Sequence, residues 1–188
     1  GVASRWVSVT KAEPSKLKKT EGVLSGFAVD AWLANWDVVG MGYDNLQIGA
    51  DGKAVRVDAG GSLNYRAQGG KKQFGTSVIE IDSMRDSEVN PQAASVFGLM
   101  TVADITASVS KVVALKDDDI KSLVDSYAGG TPASKNALYD ILIARKNDLL
   151  AKYPKAGKPP KKMLDPSKLP VKESMLPSMH NFSDWNGD

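Results

Sequence analysis

What this chain of 188 residues lacks narrows its chemistry first. It has no cysteine, so disulfides and thiolate zinc sites are excluded. The compartment stays open, because a chain without cysteine suits reducing and oxidising settings alike. His180 is its one histidine, which rules out His-rich metal centres and argues against a Ser-His-Asp triad. An excess of one charge is also missing. Lys and Arg number 24 against 22 Asp and Glu, a net charge of +2. That balance exerts no global pull on nucleic acid or acidic membranes, so no nucleic-acid partner is expected. No apolar run reaches the roughly 18 residues that cross a bilayer, and no signal-peptide pattern opens the chain. No G-x-x-x-x-G-K-[ST] phosphate loop and no internal repeat occur. The first residue is Gly1, and the expectation is a fragment or processed product of a longer protein.

What is present divides into three stretches. Residues 1–20 form a lead-in: an alternating segment to Thr10 that suggests a short strand or an extended run, then a polar, basic, Pro-containing loop over 11–20. Residues 21–153 carry the regular patterns of one domain. Val23, Leu24, Phe27, Ala28, Ala31 and Trp32 fall on one helical face within Glu21–Ala34. Leu46 and Ile48 alternate, Asp51-Gly52 signals a tight turn, and Val55 and Val57 alternate again, which predicts a β-hairpin. Further helices are predicted from Pro91 to about Met100, through Ile105–Val113, through the segment KDDDIKSLVDSYA, and from Pro132 to Tyr153. Residues 154–188 are rich in Lys and Pro and read as a tail or linker. The predicted fold class is α+β, mainly helical, with one hairpin.

Between the first helix and the hairpin lies NWDVVGMGYDN, Asn35 to Asn45, with two asparagines, two aspartates and two glycines. Just beyond the hairpin comes Asp58-Ala59-Gly60. The order is therefore helix, Asn35-x-Asp37, Asn45, hairpin, Asp58-x-Gly60. Phosphoryl transfer needs such parts. An aspartate orients the attacking hydroxyl and accepts its proton, and side-chain oxygens hold Mg²⁺ against nucleotide phosphates. A short hairpin turn fixes the separation of the two.

This stretch, LANWDVVGMGYDNLQIGADGKAVRVDAGGSL, resembles the catalytic core of the atypical kinases: the phosphatidylinositol, HipA-like and secreted-pathway kinases. The resemblance covers residues 22–63 and implies a kinase-like C-terminal lobe whose hairpin carries the metal loop. It implies Asp37 as the catalytic residue with Asn35 bracing its loop, Asn45 and Asp58 as Mg²⁺ ligands, and Gly60 beside the ATP phosphates. The implied cofactors are Mg²⁺ and ATP. The implied partners are a missing N-terminal lobe or larger parent chain, and a protein or small-molecule hydroxyl substrate. Val38 and Val39 stand where that family usually has Arg and His, and Asp37 and Asn45 lie eight positions apart. Two functions follow: an ATP-dependent phosphotransferase lobe, or a non-catalytic kinase-derived module of a multidomain effector or virus particle protein.

Simpler roles are expected elsewhere. Trp32 and Trp36 read as core or loop-anchoring aromatics. Tyr65 to Lys72 reads as a solvated basic loop. Asp117, Asp118 and Asp119 read as the acidic first turn of a helix. The Lys-rich tail reads as a soluble run, and His180 takes no catalytic role.

Overall fold

A computed structural model describes residues 8–66 and 69–157. His180, Phe182, Trp185, Gln68, the opening of the lead-in and the tail from residue 158 lie outside the described residues. The fold is α+β, with seven α-helices and one small antiparallel sheet among the described residues. No single described helix is long and apolar enough to cross a membrane.

The sheet has strands β1 (Val9–Thr10), β2 (Leu46–Gly49) and β3 (Ala54–Arg56) in the order β1-β2-β3. β2 and β3 form the predicted hairpin, with Leu46 opposite Arg56 and Ile48 opposite Ala54. The turn closes through the Gly52 N–H, which donates to Gly49, while Asp51 accepts from the Lys53 N–H. Leu46 and Ile48 are buried, so the alternating pattern puts its apolar face on the core. The lead-in departs from expectation. Its basic loop contains a one-turn helix, α1 (Pro14–Leu17), started by a proline at the first helical position and burying Leu17 completely.

Helix α2 (Val23–Trp32) is the spine. Val23, Phe27, Ala28, Ala31 and Trp32 are all buried. Its partner is α5 (Val102–Val113), which presents Ile105, Val109 and Val112 to it and starts at a Thr101–Asp104 capping box. Ser108 sits in the α2–α5 contact. It accepts from the Ala28 N–H at 2.7 Å and donates to the Ser25 carbonyl at 3.2 Å, so a buried hydroxyl is fully used. Before α5 come α3 (Glu80–Ser83) and α4 (Pro91–Phe97). The Asn90 side chain caps α4 by accepting from Ala93.

After α5 come α6 (Asp117–Tyr127) and the 21-residue α7 (Pro132–Lys152). Asp117–Asp119 form the first turn of α6 as expected, where they face the positive end of the helix dipole. The packed body does not stop at Tyr153. A 3₁₀ turn over Pro154–Gly157 buries Ala156 beside α5 and α7.

Candidate functional site

The loop from residue 33 to residue 45 leaves the end of α2, where helix carbonyls have no partner within the helix. Each of these oxygens is taken. The Asn35 N–H donates to Asp30 O, and Leu63 N–H reaches Leu33 O at 2.7 Å. Arg145, from the middle of α7, donates to Ala31 O and Trp32 O, each at 2.8 Å. The ammonium of Lys72 donates to Ala34 O and also to Gly61 O, in the loop after the hairpin. Two cations thus meet the negative end of the α2 dipole.

Inside the loop, Val38 and Val39 are buried and anchor it to the core. Asp37 is left part-exposed between them and Trp36. Asn90 fixes the far side by donating to Trp36 O at 2.8 Å. Gly40 has φ +78°, and a Cβ there would meet an Asp44 carboxylate oxygen at 2.5 Å and Asn45 Cγ at 3.0 Å. Only glycine fits so close a return of the chain.

The hairpin then sets the geometry. Its ladder extends one step past the strands, where Val57 N–H donates to Asn45 O at 2.8 Å. Asp58 therefore lies one residue beyond the partner of Asn45. The Asn45 amide points back and donates to Asp37 O at 2.9 Å and to Asp37 Oδ2 at 3.4 Å. Asp58 is exposed, and its Oδ1 accepts from Gly60 N–H at 3.4 Å. A Cβ on Gly60 would sit 3.2 Å from that oxygen.

Burial first, then the nearby Asp58 and Asp44 carboxylates, raise the Asp37 pKa, while the Asn45 hydrogen bond opposes them. Asp37, Asn45 and Asp58 are thus brought together, and Asp44 joins them. Asn35 is not with them. Its side chain turns inward, where the amide donates to Asp30 Oδ1 at 3.4 Å and Oδ1 has no protein partner. It braces the loop through Asp30 rather than through Asp37. Among the described residues, no three acidic or histidine side chains converge into a ready-made metal cage.

Backbone strain collects here. Among the described residues, the non-glycine residues with left-handed φ are Ala34, Tyr43, Asp58 and Leu63. All four flank the Asp37 and Asp58 loops. Left-handed backbone costs an L-residue about 1–2 kcal/mol, and such strain gathers where a site holds the chain in place.

Several supporting residues carried no chemical pattern in sequence. Arg56 grips Asp30 through Nε at 2.9 and 2.7 Å and through Nη2 at 2.7 Å. A lone acid on the apolar face of α2 and a lone base in a hairpin strand are the signals that point to such a pair. Asp30 is 3 % exposed, and its burial raises its pKa despite Arg56. Arg145 is 1 % exposed and uses all five donors, on Ala31 O, Trp32 O, Gly75 O, Ser77 O and Glu80 Oε2. The expectation of a solvated loop from Tyr65 to Lys72 fails at Lys72, whose head is drawn between two carbonyls. Trp32 is a core aromatic that donates to Leu142 O at 2.9 Å, whereas Trp36 is 43 % exposed. No family model, curated protein or solved structure matches this chain.

Proposed function

We propose that this chain is the catalytic lobe of an ATP- and Mg²⁺-dependent phosphotransferase of the atypical kinase type. It belongs to a longer protein and acts on a hydroxyl acceptor in a protein or a small molecule. One juxtaposition supports this reading above all. The Asn45 amide bonds Asp37 across the loop, and the hairpin returns Asp58 to within electrostatic reach of the same carboxyl.

Asp37 orients the acceptor hydroxyl and takes its proton. Burial and its acidic neighbours make it a stronger base than a free carboxylate. Asn45 holds Asp37 in place with its NH₂ and keeps Oδ1 for a metal. Asp58 supplies the second oxygen ligand from an exposed position. Mg²⁺ takes one or two protein carboxylates and completes its shell with water and phosphate oxygens, so this donor set fits it without a closed cage. When bound, the metal neutralises phosphate charge during transfer. Gly60 keeps the chain low beside Asp58, and Asn35 steadies the loop base.

A second reading is a non-catalytic kinase-derived module of a multidomain effector or virus particle protein. Two observations favour it. Val38 and Val39 are core residues, and the left-handed turn at Asp58 is capped by its own Gly60 N–H, so it stands without a ligand.

Thermal unfolding of the 188-residue chain with and without Mg²⁺-ATP separates the two, run beside Asp58→Asn. A metal-dependent rise in Tm in the parent but not in the variant supports the phosphotransferase. No rise in the parent, with both proteins folded, supports the module.

A further inference from the structure

We propose that Lys72 is a positioning residue, a latch whose ammonium ties the Asp37 loop to the Asp58 loop and so fixes the two halves of the site against each other. That the latched place is a catalytic site rests on the reading above. The latch itself rests on geometry alone.

The two loops belong to opposite flanks of the hairpin. The hairpin ladder joins them at one edge, through Val57 and Asn45. On the other side Leu63 N–H reaches Leu33 O at 2.7 Å, and one side chain spans both loops as well. The Lys72 ammonium does so by donating to Ala34 O, three residues before Asp37, and to Gly61 O, three residues after Asp58. Each acceptor adjoins strained backbone. Ala34 has φ 53°, and Leu63, two residues past Gly61, has φ 58°. Ala34 O also accepts from the Trp36 N–H at 2.9 Å, so the ammonium takes the second lone pair of that carbonyl.

Lys72 is itself held. Its N–H donates to Asn64 O at 2.9 Å, and Leu63 N–H donates to Leu33 O at 2.7 Å. The segment that carries the latch thus lies against the loop that it grips. Its head is also close to the Glu80–Arg145 pair. Burial is the main influence lowering its pKa, with the Glu80 carboxylate opposing and Arg145 and Arg66 adding to it. A cation pulled out of water into such a place persists only if its donors are used. The two carbonyls use two of its three.

The test is residue-resolved amide hydrogen exchange on the full chain, comparing Lys72→Met, which keeps the stem and removes the donors, with Lys72→Arg, which keeps a cation and donors. If the latch holds, Lys72→Met speeds exchange about tenfold to a hundredfold in residues 34–45 and 59–66 while α5 and α7 keep their protection. Lys72→Arg restores part of the difference. Unchanged exchange in both loops overturns the proposal. So does a uniform rise across the molecule, which would make Lys72 an ordinary contributor to global stability. Mg²⁺-ATP is then added to the parent and to Lys72→Met. A parent that Mg²⁺-ATP does not stabilise counts against the phosphotransferase reading and leaves the exchange result standing. If the parent is stabilised, Lys72→Met is expected to lose at least half of that rise in Tm.

Discussion

Around Arg145 each charge has a partner, whereas around Asp37 like charges gather with one amide between them. The first region joins α7, the 75–77 segment, α3 and the end of α2, and its guanidinium spends five donors on five acceptors. The ring of Phe74 lies against the same group, 4.6 Å from its centre. The second region holds Asp37, Asp44 and Asp58, four strained non-glycine residues and an exposed Trp36. Both regions hang from the same helix end. One is arranged for stability, and the other carries costs that the first offsets. Backbone strain of this kind persists only where the surrounding structure holds the chain in place.

The largest way to break the contrast is Arg145→Met. It leaves Glu80 buried without its cation and strips donors from four carbonyls. A loss of about 3–5 kcal/mol is expected, since removing one partner of a buried pair strands the other. Against a typical domain stability of about 5–15 kcal/mol, this is enough to unfold much of the population. Urea denaturation measures it, and a loss below about 1 kcal/mol would show that the hub is not what holds the fold.

A smaller effect is expected at Gly40. Gly40→Ala places a methyl group at φ +78° and 2.5 Å from an Asp44 oxygen. The expected cost is about 1–2 kcal/mol, with Asn45 and Asp44 displaced. Chemical-shift changes confined to residues 37–45 and 57–60 would sharpen the contrast, and a change spread through α5–α7 would blur it.

The smallest effect has the opposite sign. The Asp37 pKa is higher in the folded chain than in the unfolded one. Ionising it therefore favours the unfolded chain, and its penalty is absent at low pH, where both states are protonated. The penalty grows as pH rises through the unfolded pKa and is complete above the folded one. Asp37→Asn should raise Tm slightly at pH 7 and leave it unchanged near pH 3. A fall in Tm at pH 7 would mean that Asp37 stabilises the loop and is not a strained site acid.

Much of the fold was legible because it rests on local rules. Asp51-Gly52 between alternating runs gave the hairpin, and apolar stripes with Thr101 and Pro132 gave the long helices. Other parts were hidden. The one-turn helix at Pro14 lies in a lysine-rich segment in which a single buried Leu17 leaves no period to read. The alternating run to Thr10 suggested a short strand, as at β1, but not its partner, since Val9 pairs with Gly49 some forty residues away. Of the site, Asp37, Asn45 and Asp58 could be picked out by type and order, and Asp44 was passed over as one more polar loop residue.

The amino-acid sequence by itself determined where the oxygens of the site lie along the chain and that a hairpin separates them. The tertiary structure alone decided that Asn35 faces Asp30, that Asn45 faces Asp37, and that Arg145 and Lys72 hold the end of α2. The reason is physical. The acceptors of those two cations are mainly backbone carbonyls, which are the same at every residue. A lysine or arginine far along the chain therefore carries no sign of which carbonyls it will meet. Only folding, by placing α7, the 61–66 segment and Lys72 against the C-terminal end of one helix, selects them.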